Sequence, residues 1–355
     1  MATFIKSASC ISPQNTFNSS SFLADIVEYK ENFLHVIHPD YTRYIDPKLA
    51  RRMGKIIKMG IATAMDCLQH ANVEMPGAII TGTAYGSLED TITFLTRMVE
   101  LNEEMLPPTA FIQSTHNTVA AQVALMLKCH NYNNTFVHKG ISFEHALQDA
   151  MMLLNEKEAT NILVGGIDEM TDVSFKILSR LGLYKRKPIS NLSLYVEKNS
   201  GSIGGEGSAF FLLSDQSLQE NIAEIIGLQT YFKPGNAQAM ELNIQNFLYK
   251  HSISLNESDL ILLGINGDIS NDKVYTYLGK NIFKHIPQAN YKHLCGEYPT
   301  SVSFALWLAA MIIKNNTVPG IIQVQPMTTV PKNILIYNHY YGLYHSLILI
   351  SNCSN

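Results

Sequence analysis

The stretch Thr135-Phe-Val-His-Lys-Gly-Ile-Ser-Phe-Glu-His-Ala-Leu-Gln-Asp-Ala-Met-Met-Leu-Leu154 decides how this chain folds. Its β-branched and aromatic start, Thr135, Phe136 and Val137 running into His138, reads as a strand. From Ser142 onward Phe143, Ala146, Leu147, Ala150, Met151 and Leu154 recur at helical spacing across a broad face, which predicts a core helix. Between the two, Lys139-Gly140-Ile141 leaves room for nothing longer than a tight turn. A strand that turns sharply into a buried helix presents one side chain at the helix N-terminus, where the dipole lowers a thiol pKa. Position 140 is where a nucleophile would sit. It is a glycine, which a turn needing positive φ would also select.

Outward from this unit, the apolar strand Ala78-Ile-Ile-Thr-Gly-Thr83 precedes a helix near Leu88 to Leu101. The polar loop Gln113-Ser-Thr-His-Asn117 then opens an apolar helix from about Val119 to Lys128. The order repeats. Leu260-Ile-Leu-Leu-Gly264 is again a buried strand followed by a helical stretch, and the loop from Tyr291 to Pro299 opens an apolar helix from about Val302 to Ile313. Asn161 to Gly166, Ala209 to Leu213 and Leu347 to Ile350 are short continuous apolar runs, as in strands buried on both faces. Two copies of one α/β unit fit this pattern, with helices on both sides of each sheet.

Hydrophobic residues make up 46% of the 355 and charged residues 16%, so the surface is thinly charged and an oligomer is expected. A net charge of -4 and scattered histidines exclude the basic field that holds nucleic acid. Cys10, Cys67, Cys129, Cys295 and Cys353 are widely separated, which predicts reduced, mostly buried thiols rather than a disulfide framework or a zinc knuckle. The start MATFIKSASC lacks the apolar core of a signal peptide, and the run Phe304 to Ile313 is too short to cross a bilayer. A soluble, cytoplasmic protein with no membrane span is expected.

Read in order, Pro108-Thr-Ala-Phe-Ile-Gln-Ser-Thr-His-Asn117, the strand-turn-helix at 135–154, Gly165-Gly-Ile-Asp-Glu-Met-Thr171, Gly205-Glu-Gly-Ser-Ala-Phe-Phe211 and Asn338 resemble the β-ketoacyl synthases over residues 78–350. The resemblance implies an α/β thiolase-like fold, internally duplicated and five-layered (α-β-α-β-α), with halves at 1–215 and 216–355. It also implies a nucleophilic Cys at the turn and two His on loops of the second half. Aligned through Ser142, His145 and Ala150, the Cys position is Gly140. The family's first His falls on Gly264 of Gly264-Ile-Asn-Gly-Asp-Ile-Ser-Asn-Asp272, and the second on Glu297 of Lys292-His-Leu-Cys-Gly-Glu297. Lys292 alone survives from the catalytic set. The closing loop Asn338-His-Tyr-Tyr-Gly-Leu-Tyr-His345 carries aromatics where the family has glycines.

Covalent acyl transfer by the family route is therefore excluded. Cys295, three residues after Lys292, reads better as a packed loop thiol than as a substitute nucleophile. Ser142 reads as a capping hydroxyl, and His145 as a satisfied or interface histidine. Lys292 and Glu297 are expected to pair, and Asp268, Asn271 and Asp272 to form a hydrogen-bonded loop rather than a metal site. No cofactor and no metal is expected.

The chain looks most like the truncated, Cys-lacking ketosynthase-like proteins of aryl polyene and flexirubin-type pigment pathways. Similarity to a chain length factor implies a non-catalytic subunit beside an active ketosynthase, meeting acyl carrier protein through that partner. The alternative is a carrier-protein-dependent acyl transferase or decarboxylase built around Lys292, His293 and Glu297. In either case the strand Asn134 to His138 is expected to pair with its counterpart across a two-fold, in a heterodimer or homodimer, with Thr135, Phe136, Val137 and His138 at the interface.

Overall fold

The structure, a computed structural model, describes residues 2–353 apart from Ser20, Pro107, Lys198, Glu257 and Thr328. The first half runs through β1 (Thr3–Ile11), α1 (Lys55–His70), β2 (Ala78–Gly82), α2 (Thr118–Leu127), β3 (Tyr132–Phe136), α3 (Ser142–Asn155), β4 (Asn161–Asp168) and β5 (Gly207–Ser214). The second runs through β6 (Ala223–Phe232), α4 (Ala237–Lys250), β7 (Leu260–Leu263), α5 (Lys273–Lys280), β8 (Gln288–Asn290), α6 (Val302–Asn315), β9 (Asn333–Tyr340) and β10 (Tyr344–Ser351).

The two halves share one topology. In the first the strands lie in the order β3-β2-β4-β5-β1, in the second β8-β7-β9-β10-β6. β2 is parallel to β3 and β4, as β7 is to β8 and β9. The remaining pairs, β4 with β5, β5 with β1, β9 with β10 and β10 with β6, are antiparallel. A short antiparallel contact, Thr3 to Ile5 against Ala223 to Ile225, joins the halves into one continuous ladder. This repeat is the ground for proposing a division after Asp215.

Alternation along the strands assigns the layers. Ala78 and Ile80 of β2, Leu260 and Leu262 of β7, and Ile334 and Ile336 of β9 share one core with α3 and α6. Their neighbours point the other way. Ile79, Leu163 and Phe210 pack under α1 and α2, while Ile261, Leu335 and Leu347 pack under α4 and α5. The five layers follow, with α3 and α6 between the sheets. α6 is buried continuously from Val302 to Ile313, as a helix apolar all round must be.

The expected elements shift by a residue or two at their ends, with one consequence. β3 begins at Tyr132 and ends at Phe136, because its register with β2 runs from Ala78 opposite Tyr132 to Gly82 opposite Phe136. Val137 and His138 lie beyond the ladder, on the approach to the turn. Four of the five cysteines are buried and Cys353 is partly so, all as free thiols. Among the described residues no helix is long and apolar enough to cross a membrane.

Candidate functional site

The N-termini of α3 and α6, the ends of β4 and β7, and the β9–β10 hairpin converge at one point between the halves. Asp168, the last residue of β4, fixes it. Its buried carboxylate accepts hydrogen bonds from Thr83 Oγ1 (3.0 Å), Ala84 N (2.8 Å), Thr300 N (3.0 Å) and Thr300 Oγ1 (2.8 Å). Burial nevertheless raises this acid to about 6, the four donors offsetting part of that cost.

Gly140 lies in a single 3-10 turn, Lys139–Ile141, immediately before α3, and is buried. The positive φ expected there belongs to its neighbour: Lys139 has φ 47°, and Gly140 is not among the positive-φ residues. Packing explains the glycine instead. A Cβ at 140 would run into Cβ, Cγ and Cδ1 of Tyr340, so the tyrosine occupies the space a nucleophilic side chain would need. Ser142 is not an N-cap. Its hydroxyl accepts from His138 N and donates to Lys139 O, both at 2.8 Å, closing the turn upstream of the helix.

Gly264 follows β7, and its amide donates to Tyr337 O at 2.9 Å. A side chain there would collide with Asn338 Oδ1 and approach the Tyr275 hydroxyl to 2.8 Å. That asparagine oxygen is already taken, since Tyr291 Oη donates to it at 3.0 Å. The position of the first histidine is thus filled from β9 and α5.

At the second histidine position Glu297 and Lys292 form a fully buried ion pair, Nζ to Oε1 2.7 Å. Each charge has a further partner: Asn266 Nδ2 donates to Glu297 Oε2 at 2.8 Å, and Lys292 Nζ donates to Ser301 Oγ at 2.5 Å. A pair so satisfied resists removal of one member, which would leave a lone buried charge at about 3–5 kcal/mol. His293 faces elsewhere, its Nδ1 3.0 Å from the Tyr195 hydroxyl, and burial lowers its pKa to about 4. Cys295 is buried, and that burial outweighs the nearby ammonium and drives its thiol pKa upward.

The loop of Asp268, Asn271 and Asp272 spends its acceptors on backbone amides. Asp268 Oδ1 accepts from Ser270 N (2.8 Å) and Asn271 N (2.9 Å), and its other oxygen accepts from Gly201 N. Asp272 accepts from Asn266 N and Gly267 N at 3.0 and 2.9 Å. Among the described residues no group of three or more His, Cys, Asp or Glu is placed to hold a metal ion.

Glu144, on the first turn of α3, carries no signal in the sequence. It is fully buried, and neither carboxyl oxygen has a hydrogen-bond partner among the described residues. Burial raises it to about 7, while the Ser346 hydroxyl, outside hydrogen-bond geometry, and the more distant Lys292 ammonium lower it only in part. Lys292 thus serves two carboxyls and contacts one. The arrangement raises the proton affinity of Glu144.

Two outcomes follow from this geometry. Gly140→Cys is expected to destabilise the fold by about 1–3 kcal/mol through overpacking and to yield a thiol that iodoacetamide does not reach. Adding Tyr340→Gly should open the thiol to alkylation, and equal alkylation of the single and double variants would contradict the packing account. Glu144→Gln removes a group whose folded pKa lies above its unfolded one, so the wild-type benefit is complete below about 4.5 and fades as pH rises to about 7. Urea midpoints between pH 4 and 8 should show the variant gaining up to about 3 kcal/mol over the wild type across that window; parallel curves would remove Glu144 from this role.

Residues 32–197 match the family model described as beta-ketoacyl synthase, N-terminal domain. No curated protein sequence matches the chain. Among solved structures, the ishigamide ketosynthase/chain length factor superposes with a TM-score of 0.79 at 15% identity, over 99% of each chain. A β-ketoacyl synthase from Burkholderia phymatum STM815 gives 0.78 at 13% identity, over 99% of this chain and 100% of that one. A type II PKS acyl-carrier protein in complex with its ketosynthase bound to the hexaketide gives 0.74 at 13% identity, over 99% of each chain. At these identities the superpositions carry the fold, and the family model covers the segment that bears Gly140. Residues 32–197 are thus similar to the N-terminal domain of the β-ketoacyl synthases, and the chain as a whole shares the fold of these solved structures.

Proposed function

We propose that the chain is a non-catalytic subunit of the chain-length-factor kind, pairing with an active β-ketoacyl synthase in fatty acid or polyketide elongation of the aryl polyene type. One observation carries the reading: each position assigned to the nucleophile or a catalytic histidine is closed by a packed protein group. Tyr340 fills the space over Gly140, Asn338 that over Gly264, and Lys292 neutralises Glu297. The folds shared with a ketosynthase/chain length factor and with a carrier-protein-bound ketosynthase support it. Carrier protein would be met through the active partner. A transferase or decarboxylase around Lys292, His293 and Glu297 is disfavoured, because all three side chains are buried among protein groups.

The proposed interface is the open edge of β3. The strand is bonded to β2 on one side, and its other edge, with Thr135 and Phe136 half-exposed and Val137 and His138 exposed, is free to pair with the partner's equivalent strand. Val99, Met105, Phe111 and Ile112 add exposed apolar surface in the segment between β2 and α2. A homodimer through the same edge is the fallback when no partner is present.

The purified chain alone is expected to elongate no malonyl thioester in a radiolabelled condensation assay, while co-expression with the right ketosynthase yields a heterodimer by native mass measurement. Product above a no-protein control would overturn the reading. Phe136 packs against the chain's own core, so Val137→Asp is the cleaner probe of the interface. It should split the dimer with little change in the thermal midpoint of the monomer; an unaltered dimer that still supports its partner would relocate the interface.

A further inference from the structure

We infer that His138 and His145 form a two-nitrogen site for a transition-metal ion of the Cu2+, Ni2+ or Zn2+ class, beside the free end of β3. Their Nδ1 atoms stand 3.2 Å apart. Two nitrogens bound to one tetrahedral ion at about 2.0–2.1 Å are separated by about 3.3 Å, so the pair already has the bite of a chelate. The seven-residue spacing hides this from sequence patterns, since one ring leaves the chain before the turn and the other from the first turns of α3.

The rings are held from several sides. The Tyr344 ring meets His138 edge-on at 5.7 Å, and Phe136 meets His145 edge-on at 6.3 Å. The His138 backbone is fixed by the hydrogen bond its N–H donates to Ser142 Oγ, 2.8 Å. Preorganised ligands lose less rotamer freedom on binding. The protonation state suits a ligand as well: burial and the neighbouring His138 both hold His145 below the usual imidazole pKa, and a metal needs neutral rings. Without metal one Nδ1 donates to the other. With both rings as Nε2–H tautomers, two lone pairs face each other, and a cation between them relieves the repulsion.

The surroundings set the strength. Lys139 follows His138 directly and opposes a cation, while Asp149, one helical turn after His145, accepts from Tyr132 Oη at 3.1 Å and adds negative charge nearby. No third ligand completes the site among the described residues, so water fills the remaining positions. The affinity should follow the Irving–Williams order, Cu2+ above Ni2+ and Zn2+, and fall short of a four-ligand structural site.

Titration of the full-length chain with Cu2+, followed by calorimetry and electron paramagnetic resonance, tests this against His138→Ala, His145→Ala and the double variant. The wild type should show one equivalent tighter than the background of other surface histidines, with a two-nitrogen hyperfine pattern. Either single substitution should abolish that equivalent. Thermal melts in chelator establish that the variants are folded, and His138→Gln provides a milder change should His138→Ala fail. Identical titrations of wild type and double variant would overturn the proposal. The site is built within one chain, so its failure leaves the dimer reading untouched.

Discussion

Asp168 is the point on which the geometry of this molecule turns. One carboxylate at the end of β4 gathers the loop leaving β2, through Thr83 and Ala84, and the entry to α6, through Thr300. Those two segments belong to different halves of a duplicated fold. The halves meet elsewhere through a three-residue ladder between β1 and β6, through the apolar faces of α3 and α6, and through further hydrogen bonds such as Glu297 N to Ile203 O and Asn191 Nδ2 to His293 O. Apolar contact is non-directional and would tolerate sliding of one sheet over the other. Four hydrogen bonds to one buried group do not tolerate it, because any shift strands donors away from water. The mutual placement of Gly140, Gly264 and Glu297 depends on that tie together with the backbone bonds between Glu297 and the Ile203–Gly205 segment.

Much of this was legible in the sequence. The order of apolar runs gave the duplication, since strands buried on both faces and an all-apolar helix at Val302 to Ile313 leave few other architectures. The Lys292–Glu297 pair was legible too, because a lysine and a glutamate five residues apart in a loop feeding a buried helix have little choice but each other. What was not legible depends on contacts distant in sequence. Gly140 reads as a turn glycine until Tyr340, two hundred residues on, is seen against it. Glu144 looks like any helical glutamate, and only the packing around α3 shows it to be buried without a hydrogen-bond partner among the described residues. The end of β3 was misread because β-branched Val137 favours a strand locally, while its register with β2 stops one residue earlier.

The three closed positions are closed by three different means, and each follows from what was left behind. At residue 140 a glycine leaves volume beside the turn, and the Tyr340 ring fills it. At residue 264 the surroundings are hydroxyls and an amide, so the gap is filled by Asn338, which satisfies Tyr291. Residue 297 neighbours a lysine that stayed. A buried ammonium without a counter-charge would be held only at large cost, so the replacement had to be acidic rather than apolar. Lys292 therefore has a structural reason to be present. Its ammonium is engaged by Glu297 and Ser301 and has become part of the scaffold.

A non-catalytic subunit, the role proposed for this chain, needs no substrate access but still needs association. β3 has one bonded neighbour, and the strand Tyr132-Asn-Asn-Thr-Phe136 carries no charge and no proline, the devices by which edge strands are usually blunted. A free, uncharged edge of this kind stays soluble alone only if something covers it. Its two asparagines also weaken it as a generic template, since asparagine is a poor strand former. Pairing must then draw on side chains around the strand as well as on the ladder. The exposed apolar groups at Val99, Met105, Phe111 and Ile112 lie in an insertion that the second half of the duplication lacks. The duplicated core needs no such insertion to fold. Its presence beside an uncovered edge is a physical reason for proposing that the molecule acts through a surface rather than through a pocket.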